Sequence, residues 1–101
     1  MAVICTEEGR RLTAAVSGEL DHHRAREIME ELDRRIDAAM PSELVLDLEQ
    51  LTFTDSSGIA VLLRAFRRVG TAGGQLRVIR TPAQAEKVFR AAGLQRIIRF
   101  E

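Results

Sequence analysis

Apolar residues recur at spacings of three and four from Ala25 through Ile28, Met29, Leu32 and Ile36 to Met40. This is the stripe of an amphipathic helix, with Asp21 as its N-cap and Pro41-Ser42 as its stop. Upstream, Leu12, Ala14 and Val16 alternate with Arg11, Thr13 and Ala15, so residues 11–17 read as a strand. Residues 2–5 read as its hairpin partner across a Glu-Glu-Gly-Arg turn, and Gly18-Glu19-Leu20 as the lead into the helix. Residues 44–48 are almost continuously apolar, as expected of a central strand in a parallel sheet with helices on both faces. Residues 49–54 are expected to be a connection. Ile59, Leu62, Leu63, Phe66 and Val69 form a second helical stripe, widened by Val61 and Ala65, and residues 76–80 form another strand. Thr81-Pro82-Ala83-Gln84 has the spacing of a capping box with proline at the first helical position. Behind it Ala85, Val88, Phe89 and Ala92 point inward, Gly93 stands at a left-handed cap, Leu94 folds back, and residues 97–100 form the last strand. The order β-β-α-β-α-β-α-β predicts an α/β domain over residues 1–101, a mixed, mostly parallel sheet covered by helices.

Composition narrows the classes open to such a domain. Hydrophobic residues make up 46% and charged residues 30% of the 101, values of a foldable globular chain. Fifteen basic residues balance fifteen acidic ones, so direct nucleic-acid binding, which rests on neutralising phosphates, is not expected. Cys5 is the only cysteine, which excludes an intramolecular disulfide and a cysteine metal cluster and fits a reducing compartment. The apolar start, residues 1–6, is too short for a signal peptide or membrane span, and the expected location is cytoplasmic without membrane attachment.

Asp55-Ser56-Ser57-Gly58 stands where a strand and a short connection lead into the second helix. Free N–H groups at a helix start tolerate an anion, so the stretch reads as a seat for a phosphate. It reads equally as a cap, since Ser and Asp oxygens satisfy orphan N–H groups. Capping uses one side chain, however, and a hydroxyl is left over. A hydrolase nucleophile would need a base and an oxyanion hole, and the Gly-x-Ser-x-Gly elbow is missing. His22 and His23 are the only histidines, and neighbours on a helix diverge by about a hundred degrees, a poor metal set. One of them is expected at the surface and the other near the Asp55 loop. Gly70, Gly73 and Gly74 lack the Lys-Ser or Lys-Thr of a phosphate-binding loop, and no cofactor is implied. Glu30 with Arg34 and Glu31 with Arg35 are spaced for helix ion pairs, and Arg64, Arg67 and Arg68 read as a solvated face or a docking patch.

Gly18-Glu19-Leu20-Asp21-His22-His23, the run Leu51-Thr52-Phe53-Thr54-Asp55-Ser56-Ser57-Gly58, and the ending Gly93-Leu94-Gln95-Arg96-Ile97-Ile98-Arg99-Phe100-Glu101 resemble the STAS-domain anti-sigma factor antagonists, most of all the sporulation type acting on the anti-sigma-F factor. The resemblance spans essentially the whole chain. It implies a partner-switching protein without catalytic activity, whose unphosphorylated form binds an anti-sigma factor that is also a serine kinase and so releases sigma factor. It further implies Ser56 as the phosphorylated residue, a PP2C-type phosphatase that restores it, and a docking surface containing Asp21, His22, Asp55, Ser56, Ser57 and Gly58. Members of the family usually continue into a C-terminal helix beyond the last strand; either this chain is a truncation, or one sheet face is less covered and residues 97–100 are expected to be more exposed and open to self-association. The alternatives are a STAS module of a general stress-response pathway and a nucleotide-binding or hydrolytic domain using Ser56.

Overall fold

Strand β1 (Val3–Glu8) turns through Gly9-Arg10 into β2 (Arg11–Val16), antiparallel, with Val3 opposite Val16 and Glu8 opposite Arg11. The hairpin is as expected, with β1 longer than the sequence suggests. After β3 (Gly18–Leu20) comes α1 (His22–Ala39), then β4 (Glu43–Asp47), β5 (Leu51–Thr54) and α2 (Ser57–Thr71). The chain closes through β6 (Gln75–Ile79), α3 (Ala83–Ala91), a 3-10 turn at Leu94–Arg96 and β7 (Arg99–Phe100). This computed structural model describes residues 2–101; Met1, the first residue of the apolar start, lies outside them. The main sheet has the order β1-β2-β4-β6-β7, parallel except for the first pair, so residues 44–48 supply the expected central strand.

Leu12, Ala14, Val16, Leu44, Leu46 and Val78 alternate onto one face of the sheet and are buried there. Above them lie Ala25, Ile28, Leu32 and Ile36 of α1, Val61, Leu62, Ala65 and Val69 of α2, and Ala85 and Phe89 of α3. Each large aliphatic side chain removed from water this way contributes about 1.5–3 kcal/mol. Helix α1 is joined to α2 on its outer side by Arg64 to Asp33 at 2.7 Å and Arg68 to Asp37 at 2.7 Å. Two of the three arginines of the supposed solvated face are therefore interhelical ties. Within α1 the pairs formed are Arg26 with Glu30 and Arg34 with Glu31, in place of those expected from spacing.

The other face departs from what the apolar run of β4 suggests. Val45 is buried but stands outside the helix-covered core. Its cross-strand row is Thr13, Val45, Arg77 and Arg99, and the row's charges join an ion-pair chain. Arg11 pairs with Glu43 at 2.8 Å, Glu43 with Arg77 at 3.3 Å, and Arg77 with Glu101 at 3.1 Å, reaching Arg99 at the edge. The long arm of Arg77 lies along the sheet with its Nε buried beside Glu43 and without a hydrogen bond, whereas the side chain of Arg99 at the edge is 76% exposed.

Several local expectations change. Residues 18–20 and 51–54 are strands, β3 and β5, paired in parallel as a separate two-stranded sheet. Met40 is 62% exposed, because α1 ends at Ala39 and Met40 turns left-handed at φ 45° before Pro41. Ala92 is exposed at the end of α3, whereas Gly93 adopts the expected left-handed conformation at φ 78° and Leu94 folds back to 3% exposure. Residues 97–100 are strand only at Arg99–Phe100: Ile97 is 51% exposed, Ile98 is buried, and Phe100 is half-buried, stacked on Phe89 with ring centroids 6.1 Å apart.

Candidate functional site

Strands β3 and β5 run side by side, with Leu20 beside Thr54, so the corners that follow them meet. At the first corner Asp21 caps α1 as expected, its Oδ1 accepting the N–H groups of His23 and Arg24 at 3.1 Å each. At the second corner Asp55 Oδ1 accepts the Ser57 N–H at 2.8 Å, with the Ser57 hydroxyl and His22 close enough to help lower the pKa of the same carboxylate. Asp21, His22, Asp55, Ser56, Ser57 and Gly58 thus come together across two corners remote in sequence. The rings of His22 and His23, both exposed, lie 3.9 Å apart although their positions diverge along a helix, because His22 is the first helical residue. Among the described residues no group of three or more His, Cys, Asp or Glu side chains is placed to hold a metal ion.

The two serines differ. Ser57 is half-buried, its N–H bound to Asp55 and its hydroxyl beside the same carboxylate. Ser56 is exposed, already in helical conformation at φ −62° and ψ −17°, and its hydroxyl makes no cap hydrogen bond. The capping side chain is thus Asp55, and Ser56 carries the surplus hydroxyl. A groove of about 720 Å³ lies away from this corner, between α1 and α2, lined by residues such as Met29, Leu63 and Arg67. The exposed Ser56 hydroxyl is accessible to a macromolecule.

The carboxyl of Asp55 is held below its ordinary range, chiefly by the hydrogen bond from the Ser57 N–H, against partial desolvation, and with help from the Ser57 hydroxyl and from His22. Its folded-state pKa is depressed, so the stabilisation is present above the unfolded-state value and is lost as pH falls through the folded one. We expect the urea midpoint to fall on acidification through and below the ordinary carboxylate range, with a smaller fall in Asp55→Asn. Equal slopes in the two proteins would show that this carboxylate does not hold the corner.

Two further residues build the corner. Thr54 is the one buried polar residue among those described, and its hydroxyl lies 3.0 Å from the Leu20 carbonyl oxygen and 3.1 Å from that of Asp55. Gly58 is buried against it: a Cβ at this position would stand 2.1 Å from Thr54 Oγ1 and 3.3 Å from Phe89. The side chain of Gln84, expected to close a capping box, instead reaches the main chain of Thr54, and α3 carries no side-chain cap bond. The hydroxyl of Thr81 is left buried without a partner. No local pattern marks Thr54, which lies in what reads as a connection. Gln84 had one, a polar residue at a fixed offset from a helix start, but local spacing cannot say which backbone it serves.

The chain is a mostly parallel α/β sheet domain that presents a helix start beyond its strand ends, the end at which such sheets tend to bind ligands. More particularly, a STAS-domain family model matches residues 4–101, and the chain belongs to that family. It is 31% identical over 87 residues to an anti-sigma F factor antagonist of Paenibacillus polymyxa, covering 86% of this chain and 74% of that one. Its fold is similar to that of the anti-sigma factor antagonist SpoIIAA in its unphosphorylated form, with a TM-score of 0.83, 25% identity and coverage of 99% of this chain and 88% of that one. The phosphorylated form of SpoIIAA, a Bacillus cell fate determinant, matches with a TM-score of 0.74 at 25% identity, over 99% of this chain and 91% of that one. Among the described residues no helix is long and apolar enough to cross a membrane.

Proposed function

We propose that the protein is an anti-sigma factor antagonist of the sporulation type. Its unphosphorylated form binds an anti-sigma factor that is also a serine kinase, sigma factor is released, phosphorylation of Ser56 ends the binding, and a PP2C-type phosphatase restores it. The domain acts in the cytoplasm as substrate and partner, with no catalysis of its own. The observation that carries the reading is the division of labour between the serines: Ser57 is tied to Asp55, while Ser56 offers an exposed hydroxyl without a cap bond. Asp21, His22, Asp55, Ser57 and Gly58 form the docking frame around it. The names of the curated relative and of the similar structures support the same reading.

The test is phosphosite mapping by mass spectrometry after mixing with a candidate anti-sigma kinase and ATP. We expect a single phosphorylated residue, Ser56, and none in Ser56→Ala. Phosphorylation that persists in Ser56→Ala and vanishes in Ser57→Ala would overturn the assignment.

A further inference from the structure

The carboxamide of Gln84 does for Thr54 what a neighbouring strand would do. Its Oε1 accepts the Thr54 N–H at 3.0 Å, and its Nε2 donates to the Thr54 carbonyl at 2.8 Å. Among the described residues strand β5 is paired only with β3, so its outer edge offers main-chain groups that need partners. A primary amide has a peptide's donor and acceptor in one plane and fills that role for a single residue. The Thr54 hydroxyl is meanwhile bonded toward Leu20 on β3. Every polar group of Thr54 is therefore held, from β3 on one side and from α3 on the other, one residue before Asp55.

We propose that Gln84 is a positioning residue for the switch corner. By fixing the end of β5 to α3, it sets where Asp55 begins the turn and where the Ser56 hydroxyl is presented to the kinase. The inference rests on the reading of Ser56 given above and adds to it a residue on a different element. Geometry matters here because a phosphoryl acceptor must be delivered in line, and a displacement of about 1 Å can lower a rate by about a hundredfold. The Gln84 side chain is on an exposed position of α3, so its loss leaves the core intact.

The test compares the whole chain with Gln84→Met, of similar length and without either hydrogen bond, and Gln84→Glu, which keeps the acceptor for the Thr54 N–H. Arg68→Ala, which removes a tie between α1 and α2, serves as a control for general destabilisation. The readouts are residue-resolved amide exchange of Thr54, and kcat and KM for phosphorylation by the anti-sigma kinase with ATP. In Gln84→Met we expect Thr54 exchange to accelerate about tenfold, equivalent to about 1.4 kcal/mol. We expect kcat/KM to fall about tenfold too, mainly through kcat, because the docking side chains remain. Gln84→Glu should keep Thr54 exchange closer to that of the unaltered protein, and Arg68→Ala should move neither readout. Unchanged Thr54 exchange in Gln84→Met would show that the clamp does not exist in solution. Faster exchange with unaltered kinetics would reduce Gln84 to a structural role and overturn the proposal. Failure of the unaltered protein to be phosphorylated at Ser56 would overturn the role through the reading it rests on, a result separable from the others because Thr54 exchange still reports the clamp.

Discussion

Gly58→Ala is expected to lower the unfolding free energy by about 2–4 kcal/mol, a large share of the 5–15 kcal/mol typical of a domain. The added methyl would meet Thr54 Oγ1 at 2.1 Å and leave 3.3 Å to Thr54 Cβ and to Phe89. Thr54 cannot swing aside cheaply, because a β-branched side chain is stiff at χ1 and its hydroxyl holds the Leu20 carbonyl at 3.0 Å. Either the hydroxyl moves and leaves buried polar groups unpaired, at about 1–3 kcal/mol, or the first turn of α2 moves and carries Asp55 and Ser56 with it. Urea unfolding checks this: the midpoint should fall with the slope unchanged. Thr54→Ala in the Gly58→Ala background should cost less than the sum of the two single changes, since it removes the clashing atom. Additivity would mean that the two residues do not collide.

The second large effect concerns Ser56. Ser56→Asp is expected to weaken binding to the anti-sigma factor by tenfold or more, whereas Ser56→Ala binds as the unaltered protein does. The fold should be indifferent to both changes, because the Ser56 hydroxyl is exposed and makes no cap bond. Negative charge at a helix start is if anything tolerated, by about 1 kcal/mol at most at an exposed site. At an interface the same charge, already beside Asp55, must be desolvated and meets whatever anionic groups the kinase holds there. One like-charge pair at about 4 Å costs roughly 1–4 kcal/mol depending on screening, and each 1.4 kcal/mol or so is a factor of ten in affinity. The interface term is expected to exceed the local one, so modification of Ser56 is expected to release the partner and leave the domain folded. Titration calorimetry with the anti-sigma factor, alongside thermal melts of each variant, separates the two terms. Equal affinities for Ser56→Asp and Ser56→Ala would remove the electrostatic basis of the switch.

Long elements were legible because periodicity needs length. The stripe of α1 gives its inner face correctly at Ala25, Ile28, Leu32 and Ile36. The run at residues 44–48 gives the central strand, and Gly93-Leu94 gives the end of α3. Asp21 and Asp55 are both caps because a carboxylate before a helix has nearby N–H groups to accept from wherever the rest of the chain goes. The short strands β3 and β5 were not legible: three or four residues cannot show a period of two, and the burial pattern of β5 does not alternate. Their pairing is a contact between segments some thirty residues apart in sequence. The chain of ion pairs across the second sheet face likewise depends on strand order, which periodicity does not carry.

The Asp-Ser-Ser-Gly corner divides along the same line. Sequence alone determined that a helix begins there, that an acid and two hydroxyls stand at its start, and that one hydroxyl exceeds what capping needs. Tertiary structure alone decided which hydroxyl is spare, because that depends on Asp55 turning to Ser57 and on β3 bringing His22 alongside. It also decided that Gly58 is required, since the atom it must avoid belongs to Thr54, and that Gln84 serves β5 in preference to its own helix. Local chemistry follows from neighbours along the chain. The choice among equivalent donors and acceptors is made by neighbours in space, where an unpaired buried group is too costly to leave.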